Sequence, residues 1–377
     1  TIDIKSNSNG LENSNGKIQI ETLKVKRGNL QMNNTSPLLA DVKDVILNIN
    51  SFQIKGDNTT IQAQSKPPHG KISNILLSGT VDMSLLSFLT PFLQEIRGLL
   101  SISTQIKLSP HTFELLGSAF VDQGYVKLKE FPHPLEQMKA DVLFNLDKIL
   151  VNTFDGQLAG GRFHADGNIQ VLGFKDFPTR LNVRLEDTTI KVPDGVSSRG
   201  SGNGTITGSW FPFMFAGSYD VTEGLMDRSF QNQEIGEVRR SAFLPRLIMR
   251  ETFDPITFNI VTNIVGPYRV KNSMIDSEVT GSLVISGSPS KPILMGEVRP
   301  KAGGKIFFRD VPFDISSGYV RFENPQEINP TLAGSARAKI KSTEYETVEE
   351  TGTKDTERKS REYALTKEYD INFLLSG

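Results

Sequence analysis

Residues 279–340 read VTGSLVISGSPSKPILMGEVRPKAGGKIFFRDVPFDISSGYVRFENPQEINPTLAGSARAKI, and this stretch decides the fold class. Val279, Gly281, Leu283 and Ile285 share one parity, while Thr280, Ser282 and Ser286 share the other. Side chains on a strand point alternately to opposite faces, so the segment has one greasy side and one wet side. The runs GKIFFR (304–309) and GYVRFE (318–323) repeat the pattern, and Gly, Pro, Asn or Ser separates each run from the next. No catalytic group stands out. What the stretch offers is a long, one-sided β surface.

Working outward, the same alternation recurs. Leu181, Val183 and Leu185 alternate with Asn182, Arg184 and Glu186 in the cleanest two-faced strand of the chain. Residues 99–226 carry further strands, with turn signals such as Asp122-Gln123-Gly124, Asp155-Gly156 and Asp194-Gly195 recurring roughly every 8–14 residues. Residues 1–80 read as half-buried strands around Ile18 and Ile20, then Leu47 and Ile49, joined by Asn, Ser and Gly. A weak repeat links 117–128, 217–226 and 296–308: a glycine-led strand, a short glycine turn and a return strand.

Two segments break the pattern. In 81–98, Leu85, Leu86, Leu89, Phe92, Leu93 and Ile96 recur at helical spacing, Asp82 or Ser84 can cap, and Gly98 fits a stop. This predicts an amphipathic helix, kinked at Pro91, that covers one end of a β core or lies on a membrane or partner. In 227–255, Arg239, Arg240, Arg246 and Arg250 interleave with Phe243, Leu244, Leu247 and Ile248, a second amphipathic insertion. Residues 256–377 form a C-terminal β domain, within which 343–367 reads as a polar loop or a long hairpin tip.

Composition narrows the function classes. At 377 residues the chain exceeds what one compact core serves, which leaves several domains or a repeat architecture. Abundant glycine (32), aromatics that are mostly Phe (23 against one Trp) and a modest 37% hydrophobic content favour an elongated, repeated β structure with much surface per residue. A formal net charge of −1 supplies no basic field for nucleic acid. The absence of cysteine suits an oxidising compartment. His69, His111, His133 and His164 are isolated, without metal-ligand spacing, and neither a GxSxG nor a phosphate loop occurs. Neither an enzyme nor a bound cofactor is expected.

A sheet with one apolar face must bury it against something. The chain could close the sheet on itself as a sandwich or barrel, or curl it into a trough that holds acyl chains or a partner strand, and periodicity alone does not choose. Here the motifs 287–298 (GSPSKPILMGEV), 304–308 (GKIFF), 313–322 (FDISSGYVRF) and 329–332 (NPTL) resemble the C-terminal domain of the TamB family. TamB is the inner-membrane subunit of the translocation and assembly module of diderm bacteria. Residues 124–128, 131–136 and 158–163 resemble the repeat preceding that domain. The resemblance implies an all-β, elongated, curled antiparallel sheet, an open groove known as a β-taco. It also implies a periplasmic location, an inner-membrane anchor outside this stretch, and an Omp85-type outer-membrane partner resembling TamA.

The resulting expectation is a conduit in which phospholipid acyl chains slide along Leu181, Val183, Leu185, Ile256, Phe258, Leu283, Ile285, Ile306, Phe308, Val320 and Phe322. If about 25–30 strands lie across the axis at ~4.8 Å, the groove is roughly 120–140 Å long. The alternative is an assembly factor that offers an open strand edge to outer-membrane β-barrel proteins by β-augmentation. A third reading, a surface β-solenoid adhesin, requires a polar concave parity. Which parity faces the groove is left open by the sequence.

Overall fold

The computed structural model describes residues 2–6, 14–27, 30–43, 46–69, 72–88, 93–109, 113–129, 131–172, 176–209, 211–228, 254–309, 311–349 and 360–377. The first strands are β1 (Ile2–Ser6), β2 (Ser14–Ile20), β3 (Lys24–Arg27), β4 (Leu30–Asn34), β5 (Leu38–Lys43), β6 (Ile46–Ile49), β7 (Phe52–Gly56), β8 (Thr59–His69) and β9 (Ile72–Asp82). Next come β10 (Leu93–Leu108), β11 (Phe113–Leu128), β12 (Leu135–Leu146), β13 (Lys148–Leu158), β14 (Gly161–Gln170), β15 (Thr179–Ile190), β16 (Val196–Gly208) and β17 (Phe213–Met226). The last are β18 (Ile256–Lys271), β19 (Ile275–Gly287), β20 (Pro292–Pro300), β21 (Lys305–Phe308), β22 (Val311–Phe322), β23 (Thr331–Glu349) and β24 (Ser360–Ser376).

Strands β1, β2, β5 and β6 form a small sheet. The others form one strip in which β3, β4, β7, β8 and β9 lead into β10 and then pair in chain order to β24. Strands β20 and β21 lie end to end between β19 and β22, each pairing with both. The two outer strands, β3 and β24, share no ladder among the described residues, so the strip is open. With 20 described strands in it, and two of these sharing one position, the strip is roughly 85–90 Å long at ~4.8 Å per strand, shorter than the 120–140 Å expected.

The ladder is antiparallel throughout except between β17 and β18, where Phe213 pairs with Ile256 and Met226 with Val270 in parallel. Antiparallel neighbours need only a hairpin, but a parallel pair needs a crossover of a dozen residues or more. Residues 227–255 provide it, because the chain must return to the opposite end of the strands. The amphipathic insertion expected there lies, apart from 227–228 and 254–255, outside the described residues.

The amphipathic helix expected over 81–98 is corrected. Of the described residues there, only Met83–Phe88 is helical, as a 3-10 stretch, and β10 begins at Leu93; 89–92, with the kink expected at Pro91, lie outside the described residues. Asp82 does cap this turn, accepting hydrogen bonds from the Ser84 amide (2.9 Å) and hydroxyl (2.5 Å). Beyond Pro91, Leu93 and Ile96 satisfy helical spacing, but Leu100, Ile102 and Ile106 continue the two-residue period that wins. The described parts of the polar stretch 343–367 belong to a long antiparallel pair: β23 and β24 pair from Ala333↔Ser376 out to Glu349↔Ser360, and 350–359 lie outside the described residues.

The glycine repeat takes a form that the sequence did not suggest. Gly124 and Gly224 do not turn the chain; they sit inside β11 and β17, where the register shifts at Val121/Gly124 and Val221/Gly224. Further shifts fall at the same level of neighbouring strands: Arg97/Leu99 in β10, Glu136/Lys139 in β12, Leu185/Thr188 in β15 and Ile264/Tyr268 in β18. Bulges bend a strand and tighten its twist, so a row of them folds the whole strip along one line. Gln123, Gln137 and Asp187 take left-handed φ values of 55°, 50° and 55° at these bulges. Tyr219 braces the bend, its hydroxyl donating to the Thr188 carbonyl at 2.8 Å.

Gly281 in β19 has φ +150°, and a Cβ there would lie 2.2 Å from the Glu297 carbonyl oxygen of β20. Replacing it forces the two strands apart. Gly281→Ala is expected to cost about 1–3 kcal/mol, read as faster amide hydrogen exchange across the β19–β20 ladder. Unchanged protection there would contradict this.

Candidate functional site: a continuous apolar face

Register shows which side chains share a face, because directly paired residues point the same way. Leu181 pairs with Ile206, Ile206 with Phe215 and Phe215 with Phe258. Val183, Gly204, Gly217, Ile260, Ile285 and Leu294 form the next row. Leu185, Gly202, Tyr219, Thr262, Leu283, Gly296 and Phe322 form a third. Ile256 lies two residues from Phe258, Val320 joins through Val298 and Gly281, Ile306 pairs with Ile275, and Phe308 shares the parity of Ile306. All eleven residues named from the sequence therefore lie on one face of one sheet.

The face extends well beyond them. Rows such as Ile54, Ile61, Gly79, Ile102, Ala119, Val142 and Val151 carry it across β7 to β13. Sequence reading missed Ile206, Phe215, Tyr219, Ile260 and Val298, although the alternation Thr205-Ile206-Thr207 carries the signal for Ile206. Between Phe52 and Ile340, no Asp, Glu, Lys or Arg occupies this parity at any described ladder position. Charged residues make up 23% of the chain, so their exclusion from one face is systematic.

Small residues make room for large ones on this face. The inside of a curved sheet has less area per residue, and here glycine or alanine repeatedly sits beneath an aromatic. A Cβ on Gly202 would stand 3.0 Å from the Tyr219 ring, on Gly204 2.8 Å from Phe215, and on Gly156 2.6 Å from Phe163. Met83, Ile96, Met138, Leu158 and Phe163 cluster at the bend, where the 3-10 turn packs against the apolar face. Ala336 and Ala338 lie under Phe313 and Phe373 at the other end. Of the two faces the apolar one is the more sheltered, as the inside of a curl would be. Between these ends Leu181, Val183, Phe258 and Leu283 stay half-buried, with no second layer packed over them among the described elements.

The opposite face is polar and hydrogen-bonded along the strip. Asn263 donates to Asp220 (2.8 Å) and accepts from Ser282 (2.9 Å), stitching β17, β18 and β19. Arg321 reaches Glu297 at 2.6 Å, and Arg199 pairs with Asp187 at the bulge. His164 contacts Asp155 at 2.6 Å in a shallow depression with Arg184. His133 accepts a hydrogen bond from the Lys191 amide, and burial, with Lys191 and Lys127 nearby, holds its pKa below the ordinary value. Among the described residues no group of three or more His, Asp or Glu is placed to hold a metal ion. No helix of the described residues is long and apolar enough to cross a membrane.

The family model described as TamB C-terminal domain matches residues 151–364, and no curated protein matches the chain. The matched span runs from β13 to β24 and includes every one of the eleven residues.

Asp276 accepts both Nε (2.7 Å) and Nη2 (2.9 Å) of Arg269, and that hydrogen bonding lowers its pKa from the ordinary carboxylate value. The pair's contribution is present above the unfolded aspartate pKa and is lost as pH falls through the lowered folded one. An NMR titration is expected to place the Asp276 midpoint below that of free aspartate, and Arg269→Gln to return it upward. A midpoint indifferent to Arg269 would refute the assignment.

Proposed function

Because the chain belongs to the TamB family, we propose that it is a segment of an envelope bridge whose concave apolar face conducts phospholipid acyl chains between the inner and outer membranes. Family membership places its function in the cell envelope, in a family that works with an outer-membrane partner and is not known for enzymes. The observation that carries this reading is a parity rich in Ile, Leu, Val and Phe from Phe52 to Ile340, with no charged residue on it at any described ladder position.

Desolvation supplies the retention. Each methylene removed from water contributes about 0.8 kcal/mol, so an acyl chain laid along the trough is retained without any specific contact. Because row after row presents the same Leu, Ile, Val and Phe surface, no single position is a trap, and a chain slides. The headgroup stays outside at the rim, where it keeps its water. Anchoring in the inner membrane and contact with an Omp85-type partner fit this reading through parts of the protein beyond the strip.

Assembly of β-barrel proteins by β-augmentation would use backbone edges and would place no constraint on the face. The exclusion of charge from one parity is a constraint on the face, and it favours lipid.

Leu283→Asp and Phe308→Arg place a charge on the apolar parity at half-buried and exposed positions. Both variants are expected to keep the β signature in circular dichroism, to lose co-purifying phospholipid in native mass spectrometry, and to reduce lipid exchange between vesicles by about tenfold or more. Full exchange by folded variants would sink the conduit. Photo-crosslinkers at Val183 and Ile285 are expected to capture lipid; capture of nascent barrel strands instead would favour assembly.

A further inference from the structure

The small sheet β1–β2–β5–β6 meets the strip in an unusual way. Strand β6 pairs with β5 on one edge through Ala40↔Ile49 and Val42↔Leu47. An unpaired strand edge carries N–H groups that need partners. The Leu47 and Ile49 amides, two residues apart, donate to the side-chain hydroxyls of Ser73 (2.6 Å) and Ser65 (2.8 Å).

Those two serines belong to the apolar face. Ser65 pairs with Ile75 and Ser73 with Leu108, both on the concave parity. They are polar interruptions among Ile61, Ala63, Ile75 and Leu77, placed where an edge strand needs acceptors. Burial agrees: Ser73 is 1% and Ile75 5% exposed, and Ala40 of the small sheet is 4% exposed. Farther along, Leu181, Val183, Phe258 and Leu283 of the same parity stay half-buried, while Phe163, Val221 and Val279 are buried within the strip itself.

We propose that the small sheet is an end stop. It sits on the concave face over β8 and β9, held by the Ser65 and Ser73 hydroxyls, so that acyl chains occupy the trough only from β10 onward. The occupant named here rests on the conduit reading; the closure itself does not.

The chain has no cysteine, so single thiols report cleanly. Ile75→Cys lies beneath the stop and Val183→Cys in the open trough. With both N-ethylmaleimide and N-dodecylmaleimide, Val183→Cys is expected to react about tenfold faster or more than Ile75→Cys. Adding Ser65→Ala and Ser73→Ala is expected to raise the Ile75→Cys rate most of the way to that of Val183→Cys. Equal rates in the parent chain would overturn the closure, and protection that survives loss of both hydroxyls would overturn the role of the serines. Should the double variant fail to fold, Ser65→Ala alone is expected to speed hydrogen exchange at the Ile49 amide and not at Leu47; equal effects at both would count against the serine contacts. If Val183→Cys takes the ethyl reagent but not the dodecyl one, the conduit reading fails while the closure stands.

Discussion

Much in this molecule follows from one apolar face that, past the small sheet and the 3-10 turn, no described element covers with a second layer. Its accessible surface is 25168 Å², against about 15,000 Å² for a compact monomer of its mass by the usual scaling. A globular domain would turn that face inward against another sheet or a helix. This chain shelters it by curvature. Along most of the strip each strand packs mainly on its neighbours, as in repeat proteins, so stability is largely local. Half-burial is the compromise: enough contact to hold the strands in register without a closed core.

Curvature in turn depends on where the strands break their own regularity. A flat sheet with these faces would expose the apolar side fully. The bulges at Val121/Gly124, Leu185/Thr188 and Val221/Gly224 align across the strip and fold it lengthwise. Tyr219 ties the fold line together, with its ring over Gly202 and its hydroxyl on the Thr188 carbonyl. Losing the small residues would crowd the inside, and losing the bulges would open it.

Much of this was legible in the sequence. Period-two alternation gave the all-β class, and the eleven named residues fall together because strand parity is preserved wherever pairing is regular. The bulges were not legible. Asp122-Gln123-Gly124 has the composition of a turn, and only its ladder with β12 shows the chain running straight on. The false helix at 81–98 arose because Leu93 and Ile96 satisfy the helical period as well as an irregular strand. The small sheet was hidden because β2 and β5 alternate like the strip itself, and only Ser65 and Ser73 mark where it docks.

The face also explains what kind of recognition is possible. Specific binding needs polar groups at fixed positions, and those in the trough are few and mostly engaged internally: the Thr104 hydroxyl donates to the Leu116 carbonyl (3.2 Å) and that of Thr188 to the Gly200 carbonyl (3.4 Å). A surface so built distinguishes apolar from polar but not one acyl chain from another. On the proposed conduit reading, selectivity for a particular lipid would reside at the rim or at whatever loads the trough. Uniformity costs specificity and gains mobility, since a ligand that finds the same environment at every row meets no barrier between them.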